Sequence, residues 1–120
     1  CYDLRFLIFA RNRLVDGKPE YDVALYLANF PSERMQAWHT LAAARAIENQ
    51  CYVVAVNRVG TDIYTKYSGG SAVFDAEGSM VANCGAEERV LLYDCDMAML
   101  EKWRNDFPTL RDGDDFLLNR

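Results

Sequence analysis

The sequence lacks the features that mark several large classes of protein. No apolar run approaches the roughly 20 residues that a membrane-spanning helix needs. No basic stretch followed by an apolar one opens the chain, so we expect no secretory leader. Cationic residues are in the minority, with 13 Lys and Arg against 18 Asp and Glu and a net charge of −5. Because nucleic acids and anionic membranes are bound through excess positive charge, we expect neither as a partner.

Metal-binding patterns are also missing. The cysteines Cys1, Cys51, Cys84 and Cys95 form no C-x-x-C pair, and the single histidine, His39, has no cysteine near it. These spacings do not fit a zinc site, and we expect neither a metal nor another cofactor. The even number of cysteines allows two disulfides. The last three, however, lie in or beside apolar runs, where free cysteine behaves as a small hydrophobic residue. Because no secretory leader is expected, a reducing, cytoplasmic setting fits better.

What the sequence does contain is the composition of one small globular domain. It has 120 residues, of which 51% are hydrophobic and 26% charged. This is enough to bury a core, and it is too ordinary for a disordered, collagen-like or coiled-coil chain. One feature stands out: the first residue is Cys1, followed directly by the polar segment that contains Asp3 and Arg5.

The hydrophobic patterns predict a layered α/β fold. The nearly continuous apolar run over 21–28 is typical of a strand buried on both faces. Asp96 is the expected N-cap of the last helix, as Ser32 is of the long one. The predicted elements, in chain order, are a helix over 3–14, strands over 21–28 and 51–58 with a helix over 33–50 between them, a loop over 60–70, strands over 71–75, 80–84 and 89–94, and a helix over 97–105.

A series of motifs along the chain resembles the nitrilase superfamily of carbon–nitrogen hydrolases. The resemblance is greatest to bacterial ω-amidase-like members, which hydrolyse the side-chain amide of 2-oxo acids such as 2-oxoglutaramate. It covers essentially the whole chain, in order and with compatible spacing. The motifs are C-Y-D-L-R-F at residue 1, A-N-F-P-S-E-R-x-x-A-W at 28, A-R-A-I-E-N-Q-x-Y-V at 44, N-R-V-G-x-D at 57, Y-S-G-G-S-A-V-F-D-A-E-G at 67 and F-P-T-L-R-D-G-D-D-F at 107.

This resemblance implies a Glu-Lys-Cys triad that acts on a small-molecule amide. Cys1 matches the nucleophile, and the backbone N–H of Tyr2 matches a donor to the oxyanion. In the family the glutamate and the lysine both precede the cysteine, and no lysine or glutamate of this chain matches them. We therefore interpret residues 1–120 as the C-terminal half of a hydrolase domain that begins at its nucleophile, and we expect this half to be inactive alone.

The resemblance also implies a fold and an assembly. Full-length relatives form an α-β-β-α sandwich that pairs into a dimer, so this chain is expected to be half of such a sandwich, from a homodimer. Half a sandwich would leave an apolar face uncovered, and such a face predicts association or poor solubility of the isolated chain.

Three further residues are candidates for binding substrate. Arg5 lies one helical turn after Cys1 in the predicted helix, where it either binds a substrate carboxylate or forms a salt bridge with Asp3. Asn29 and Phe30 end the first buried strand, a favoured position for ligand contacts in layered α/β folds, and the resemblance also places them at the pocket wall.

Two polar groups elsewhere have simpler interpretations. Arg45 and Glu48, at i,i+3 spacing on the long helix, are expected to pair with each other or with the sheet as scaffold. His39 has no catalytic partner pattern and is expected at the surface or an interface.

Two other functions remain open. In an N-terminal-nucleophile hydrolase, processing would expose Cys1 and its own α-amine would act as the base. This alternative accounts for the first residue but for none of the downstream motifs. The other alternative is a non-catalytic assembly or binding module.

Overall fold

The computed structural model describes residues 1–119, and its centre is a four-stranded sheet with one long helix on one face. None of the helices in this part of the chain has the length and apolar character to cross a bilayer. The elements are 3-10 turns Tyr2–Arg5 and Leu7–Ala10, β1 Leu14–Val15, β2 Lys18–Pro19, β3 Val23–Ala28, 3-10 turn Ser32–Arg34, α1 Met35–Asn49, β4 Tyr52–Asn57, β5 Val59–Thr61, β6 Lys66–Ser68, β7 Ala72–Phe74, β8 Met80–Asn83, α2 Met97–Asp106 and 3-10 turn Thr109–Asp112.

The sheet has the strand order β3-β4-β7-β8 and is of mixed direction. β3 and β4 are parallel, with Val23 opposite Tyr52 and Ala28 opposite Asn57, and α1 is the crossover between them. β7 pairs antiparallel with β4 and with β8. The parallel pair brings the carboxyl ends of β3 and β4 to one edge, where Arg58 N–H donates to Ala28 O at 3.1 Å.

One face of the sheet packs against α1 and forms the larger core. Trp38, Ala42 and Ala46 of the helix lie against Val53 and Ala55 of β4. Alanine adds no side-chain bulk beyond Cβ, so the helix axis can approach the sheet closely. The α/β class and the half-sandwich architecture predicted from the sequence are confirmed by this arrangement and by the related structures described below.

The other face of the sheet is only partly covered. Leu100 and Trp103 of α2 pack against Tyr52 and Val73, but Leu25 and Leu27 of β3 are 68% and 70% exposed. The expectation that the first strand is buried on both faces is therefore wrong. The exposed apolar side chains of this strand instead give residues 1–119 the open apolar face that is expected of half a sandwich.

We expect charges on this face to reduce association of the isolated chain. The double variant Leu25→Lys, Leu27→Lys should weaken self-association at least about tenfold, because burying each leucine is worth about 1.5–3 kcal/mol. Sedimentation velocity over a concentration series measures the effect. Ile63→Lys, also at an exposed apolar position, is the control. Equal association of the double variant and the parent chain would show that this face is not the contact.

The helix predicted over 3–14 is wrong. Phe6, at φ −117° and ψ 83°, separates two 3-10 turns. The reason lies in the carbonyl of Leu4, which accepts hydrogen bonds from Arg45 Nε at 3.0 Å and Nη2 at 2.7 Å. An α-helix would use that carbonyl for the N–H of Ile8. A short helix is marginal in water, and here a tertiary contact occupies its acceptor.

The strand predicted over 89–94 is also wrong. The structure assigns no strand to this segment, and Val90 and Leu92 are 86% and 91% exposed. Within the described part of the chain, β8 has only β7 as a neighbour. A strand needs a partner for its backbone groups, so β-propensity alone does not produce one.

Smaller differences concern the helix start and one loop. Ser32 does not cap the long helix; it lies in the 3-10 turn before α1, and its hydroxyl donates to Lys66 O at 3.0 Å. The loop predicted over 60–70 contains most of the β5–β6 hairpin. Asp96, in contrast, caps α2 as predicted and accepts from Met99 N–H at 3.0 Å.

Candidate active site

Cys1 is exposed and immediately precedes the 3-10 turn Tyr2–Arg5. Leu4 anchors this turn, because its side chain is fully buried in the core that also contains Phe30 and Trp38. The N–H of Leu4 closes the turn by donating to Cys1 O at 3.4 Å. The thiol-bearing residue is thus held at the surface by a buried neighbour three residues away.

A buried arginine fastens the same turn to α1. Arg45 is only 4% exposed. In addition to its two bonds to Leu4 O, its Nη1 lies 2.7 Å from Glu48 Oε1. The pairing of Arg45 with Glu48 expected from the sequence is confirmed. The link to a backbone carbonyl beside Cys1 was not expected.

The other predicted site residues lie close to this turn. The guanidinium carbon of Arg5 is 5.8 Å from the centre of the Phe30 ring. No ion pair within 4.0 Å joins Arg5 to Asp3 among the described residues, so the salt-bridge interpretation receives no support. Phe30 is buried, with its ring centre 5.2 Å from that of Trp38, whereas the adjacent Asn29 is exposed. The structure therefore brings Arg5 and Phe30 together at the end of β3.

Sequence reasoning missed a buried asparagine that holds this strand end. Asn57 Oδ1 accepts from Phe30 N–H at 2.7 Å, and its Nδ2 donates to Phe30 O at 3.0 Å and to Gly69 O at 2.7 Å. The side chain thereby links the ends of two parallel strands and the loop after β6. The sequence did contain a signal for this residue: Asn57 is a polar residue at the end of a buried apolar run, and it begins the N-R-V-G-x-D motif.

The Gly69-Gly70 pair passes close to α1. Both residues have positive φ, +69° and +72°, which side chains other than that of glycine rarely adopt. Gly70 O accepts from Trp38 Nε1 at 3.1 Å and lies 2.9 Å from His39 Nε2, which must carry the hydrogen because a carbonyl only accepts. His39, expected at the surface or an interface, is thus half-buried and has the carbonyl of Gly70 as a structural partner.

Cys1 differs from the other cysteines in its surroundings. All four are free. Cys51 is fully buried, and burial raises the pKa of its thiol to about 12, so it stays protonated at neutral pH. Cys84 and Cys95 are half-buried, and burial raises the pKa of Cys95 as well. Only the thiolate is a strong nucleophile, and Cys1 is the exposed cysteine of the set.

The described residues do not supply a complete catalytic group. No hydrogen bond or ion pair among residues 1–119 joins Cys1 to a lysine or glutamate side chain. Within the same range no three His, Cys, Asp or Glu side chains cluster as metal ligands. A groove of about 490 Å³ beside α2 is bordered by Lys18, Gln50 and Arg104, and Cys1 is not among its lining residues.

Comparison with known proteins shows relatives along the whole chain. Residues 1–105 match the family model described as carbon-nitrogen hydrolase. The chain is 44% identical to "Omega-amidase YafV" of Yersinia enterocolitica, covering 98% of this chain and 45% of that protein. It is 38% identical to "2-oxoglutaramate amidase" of Paenarthrobacter nicotinovorans, covering 93% of this chain and 37% of that protein.

The solved structures agree on the fold. XC1258 of Xanthomonas campestris, described as a CN-hydrolase superfamily protein, superimposes with a TM-score of 0.95 at 46% identity, over 99% of this chain and 46% of that one. Nit3 of Saccharomyces cerevisiae, described as a member of the nitrilase superfamily, gives a TM-score of 0.75 at 29% identity, over 90% and 40% of the two chains. The chain thus spans somewhat less than half the length of the relatives it matches. The motifs, the fold and these matches together show that the chain belongs to the carbon-nitrogen hydrolase family of the nitrilase superfamily.

Proposed function

We propose that this chain is the nucleophile-bearing, C-terminal half of a cysteine-dependent amidase, and that its substrate is the ω-amide of a small 2-oxo acid. The observation that carries the proposal is the placement of Cys1: it is exposed on a turn that Leu4 and Arg45 fasten to the core, beside Arg5 and Phe30. The names of the two amidase relatives support the substrate class.

The proposed reaction proceeds through a thioester. The thiolate of Cys1 attacks the amide carbonyl, and the resulting oxyanion accepts a hydrogen bond from Tyr2 N–H. When the C–N bond breaks, the nitrogen takes a proton and leaves as ammonia; water then hydrolyses the thioester and restores the thiol. The glutamate that moves these protons and the lysine that shares the oxyanion belong to the part of the enzyme outside this chain.

Arg5, Asn29 and Phe30 form the proposed substrate-binding wall. The planar guanidinium of Arg5 suits bidentate binding of the carboxylate of a 2-oxo acid. It lies over Phe30, whose position is fixed by Asn57. Asn29, exposed at the end of β3, presents a polar side chain at the same edge.

Fusion to the missing half tests the proposal. We expect the 120-residue chain to release no ammonia from 2-oxoglutaramate, and we expect activity once it is fused behind the part of the Yersinia relative that it does not match. Activity of the chain alone, lost when its α-amine is acetylated, would instead support an N-terminal-nucleophile hydrolase. A folded but inactive fusion would support the non-catalytic module.

We further propose that the completed enzyme is a cytoplasmic homodimer without a cofactor. The four free cysteines support a reducing compartment. Sedimentation of the fusion measures its oligomeric state, and a monomer at micromolar concentration would contradict the dimer.

A further inference from the structure

Arg45 connects α1 to the turn that carries Cys1, and it does so through the backbone. Two guanidinium nitrogens donate to Leu4 O, and the third lies against Glu48. The side chain is nearly fully buried, whereas Glu48 is about one-third exposed. The two guanidinium nitrogens that do not contact Glu48 therefore both donate to the carbonyl of Leu4, three residues after Cys1.

Stability alone is a weak reason for this arrangement. Removing an arginine from water is costly, and a well-packed apolar residue in the same volume is often as stabilising. What an apolar residue cannot do is bind a carbonyl oxygen. The rigid planar fork of arginine fixes that oxygen in direction as well as distance.

The contact also determines the conformation after Cys1. With Leu4 O occupied, Ile8 N–H lacks the acceptor for an α-helical bond, and the backbone forms separate 3-10 turns around Phe6. The first turn is closed by Leu4 N–H to Cys1 O and by Phe6 N–H to Asp3 O at 2.9 Å. The orientation of Cys1 and of Tyr2 N–H therefore depends on the carbonyl that Arg45 holds.

We propose that Arg45 is a positioning residue for the Cys1 nucleophile. Its hydrogen bonds within residues 1–119 go to Leu4 O and Glu48, so it acts through the turn that follows Cys1 and includes the N–H of Tyr2. The inference rests on the proposed amidase function and adds to it a residue that governs the chemical step.

Arg104 provides a matched control. It too is a largely buried arginine that holds backbone carbonyls: its Nε donates to Gln50 O at 2.8 Å and its Nη2 to Tyr21 O at 3.0 Å. These contacts lie at Gln50, just after the C-terminal end of α1, and at Tyr21, just before β3. None of them involves the turn that follows Cys1. Replacing either arginine by methionine removes a similar set of bonds.

Kinetics of the fused enzyme test the proposal. Arg45→Met should lower kcat about 10- to 100-fold with KM changed less than about threefold, because small misplacements of a reacting group have effects of this size. Arg45→Lys, which keeps the charge but not the fork, should recover part of the loss. Arg104→Met should leave kcat within about twofold. All variants are compared at a temperature where each is folded. Equal losses of kcat in the two methionine variants would overturn the proposal.

A second measurement does not need activity. In the 120-residue chain, Arg45→Met should speed amide hydrogen exchange at Phe6 about tenfold or more relative to Arg104→Met. It should also change the rate at which iodoacetamide alkylates the Cys1 thiol, again relative to Arg104→Met. Peptide mapping separates Cys1 from the other thiols. If the fused parent enzyme shows no turnover, the proposed function fails, whereas unchanged exchange and alkylation at the turn would overturn the role of Arg45.

Discussion

Replacing Cys1 by alanine in the fused enzyme is expected to lower kcat for amide hydrolysis by about 10⁴-fold or more. The proposed mechanism forms its covalent intermediate on this sulfur, and removing a nucleophile from a catalytic group typically costs losses of this order. Cys51 cannot substitute, because it is fully buried and burial raises the pKa of its thiol to about 12. Ammonia release from 2-oxoglutaramate is the measurement.

Cys84→Ser is the matched control for that experiment. Cys84 is a free, half-buried thiol outside the proposed site, so the variant should retain kcat within about twofold. Turnover by the Cys1→Ala enzyme at more than about a tenth of the parent rate would refute a cysteine nucleophile at this position. Equal losses in both variants would point to a general effect on folding.

Replacing Trp38 by alanine is expected to lower the free energy of unfolding by about 3–5 kcal/mol, the usual cost of removing a fully buried large aromatic side chain. Trp38 lies at the centre of the larger core against Phe30, and its indole N–H satisfies Gly70 O. The variant should therefore lose packing and also loosen the loop that follows β6. Urea denaturation of the chain measures the change.

Trp103→Ala gives the comparison for the smaller core. Trp103 of α2 is only half-buried, so the loss should be about 1–2 kcal/mol, in proportion to the smaller apolar area removed from water. Trp38→Phe should fall between the two. If Trp38→Ala costs no more than Trp103→Ala, the α1 face of the sheet is not the main source of stability.

The fold was predictable from the sequence where an element depends on its own residues. The run over 21–28, the helix after it and the run over 51–58 appear as β3, α1 and β4, since a strand-helix-strand unit is encoded by local periodicity. The cap at Asp96 is a contact within one helical turn and was also found. These signals need no knowledge of the rest of the chain.

Predictions failed where an element depends on a distant partner. The segment over 89–94 has the sequence of a strand, but no described strand lies beside it. The helical spacing over 3–14 was overruled by Arg45, 41 residues away from Leu4. In the first case the outcome depends on whether a partner strand lies beside the segment. In the second it depends on which side chain donates to Leu4 O. Local sequence patterns contain neither piece of information.

The candidate site was accessible only in part for the same reason. The resemblance to known hydrolases predicted roles for Cys1 and Tyr2, the end of the first strand together with that resemblance predicted Asn29 and Phe30, and spacing from Cys1 predicted Arg5. These roles stay predictions. The resemblance did not identify the roles of Asn57 and Arg45, whose acceptors are backbone atoms of Phe30 and Leu4.

The positions of the sheet strands along the chain have a consequence for the order of folding. All four strands of the main sheet and α1 come from one continuous stretch, 23–83. The contacts that close the two ends over this stretch span far longer loops: Arg104 to Tyr21 O, 83 residues apart, and Arg11 to Asp114 O, 103 residues apart. Loop-closure entropy makes such contacts late events. The sheet and α1 could therefore fold while α2 is still being synthesised. The turn after Cys1 could join them at that stage, because its partners Phe30, Trp38 and Arg45 lie in the same stretch.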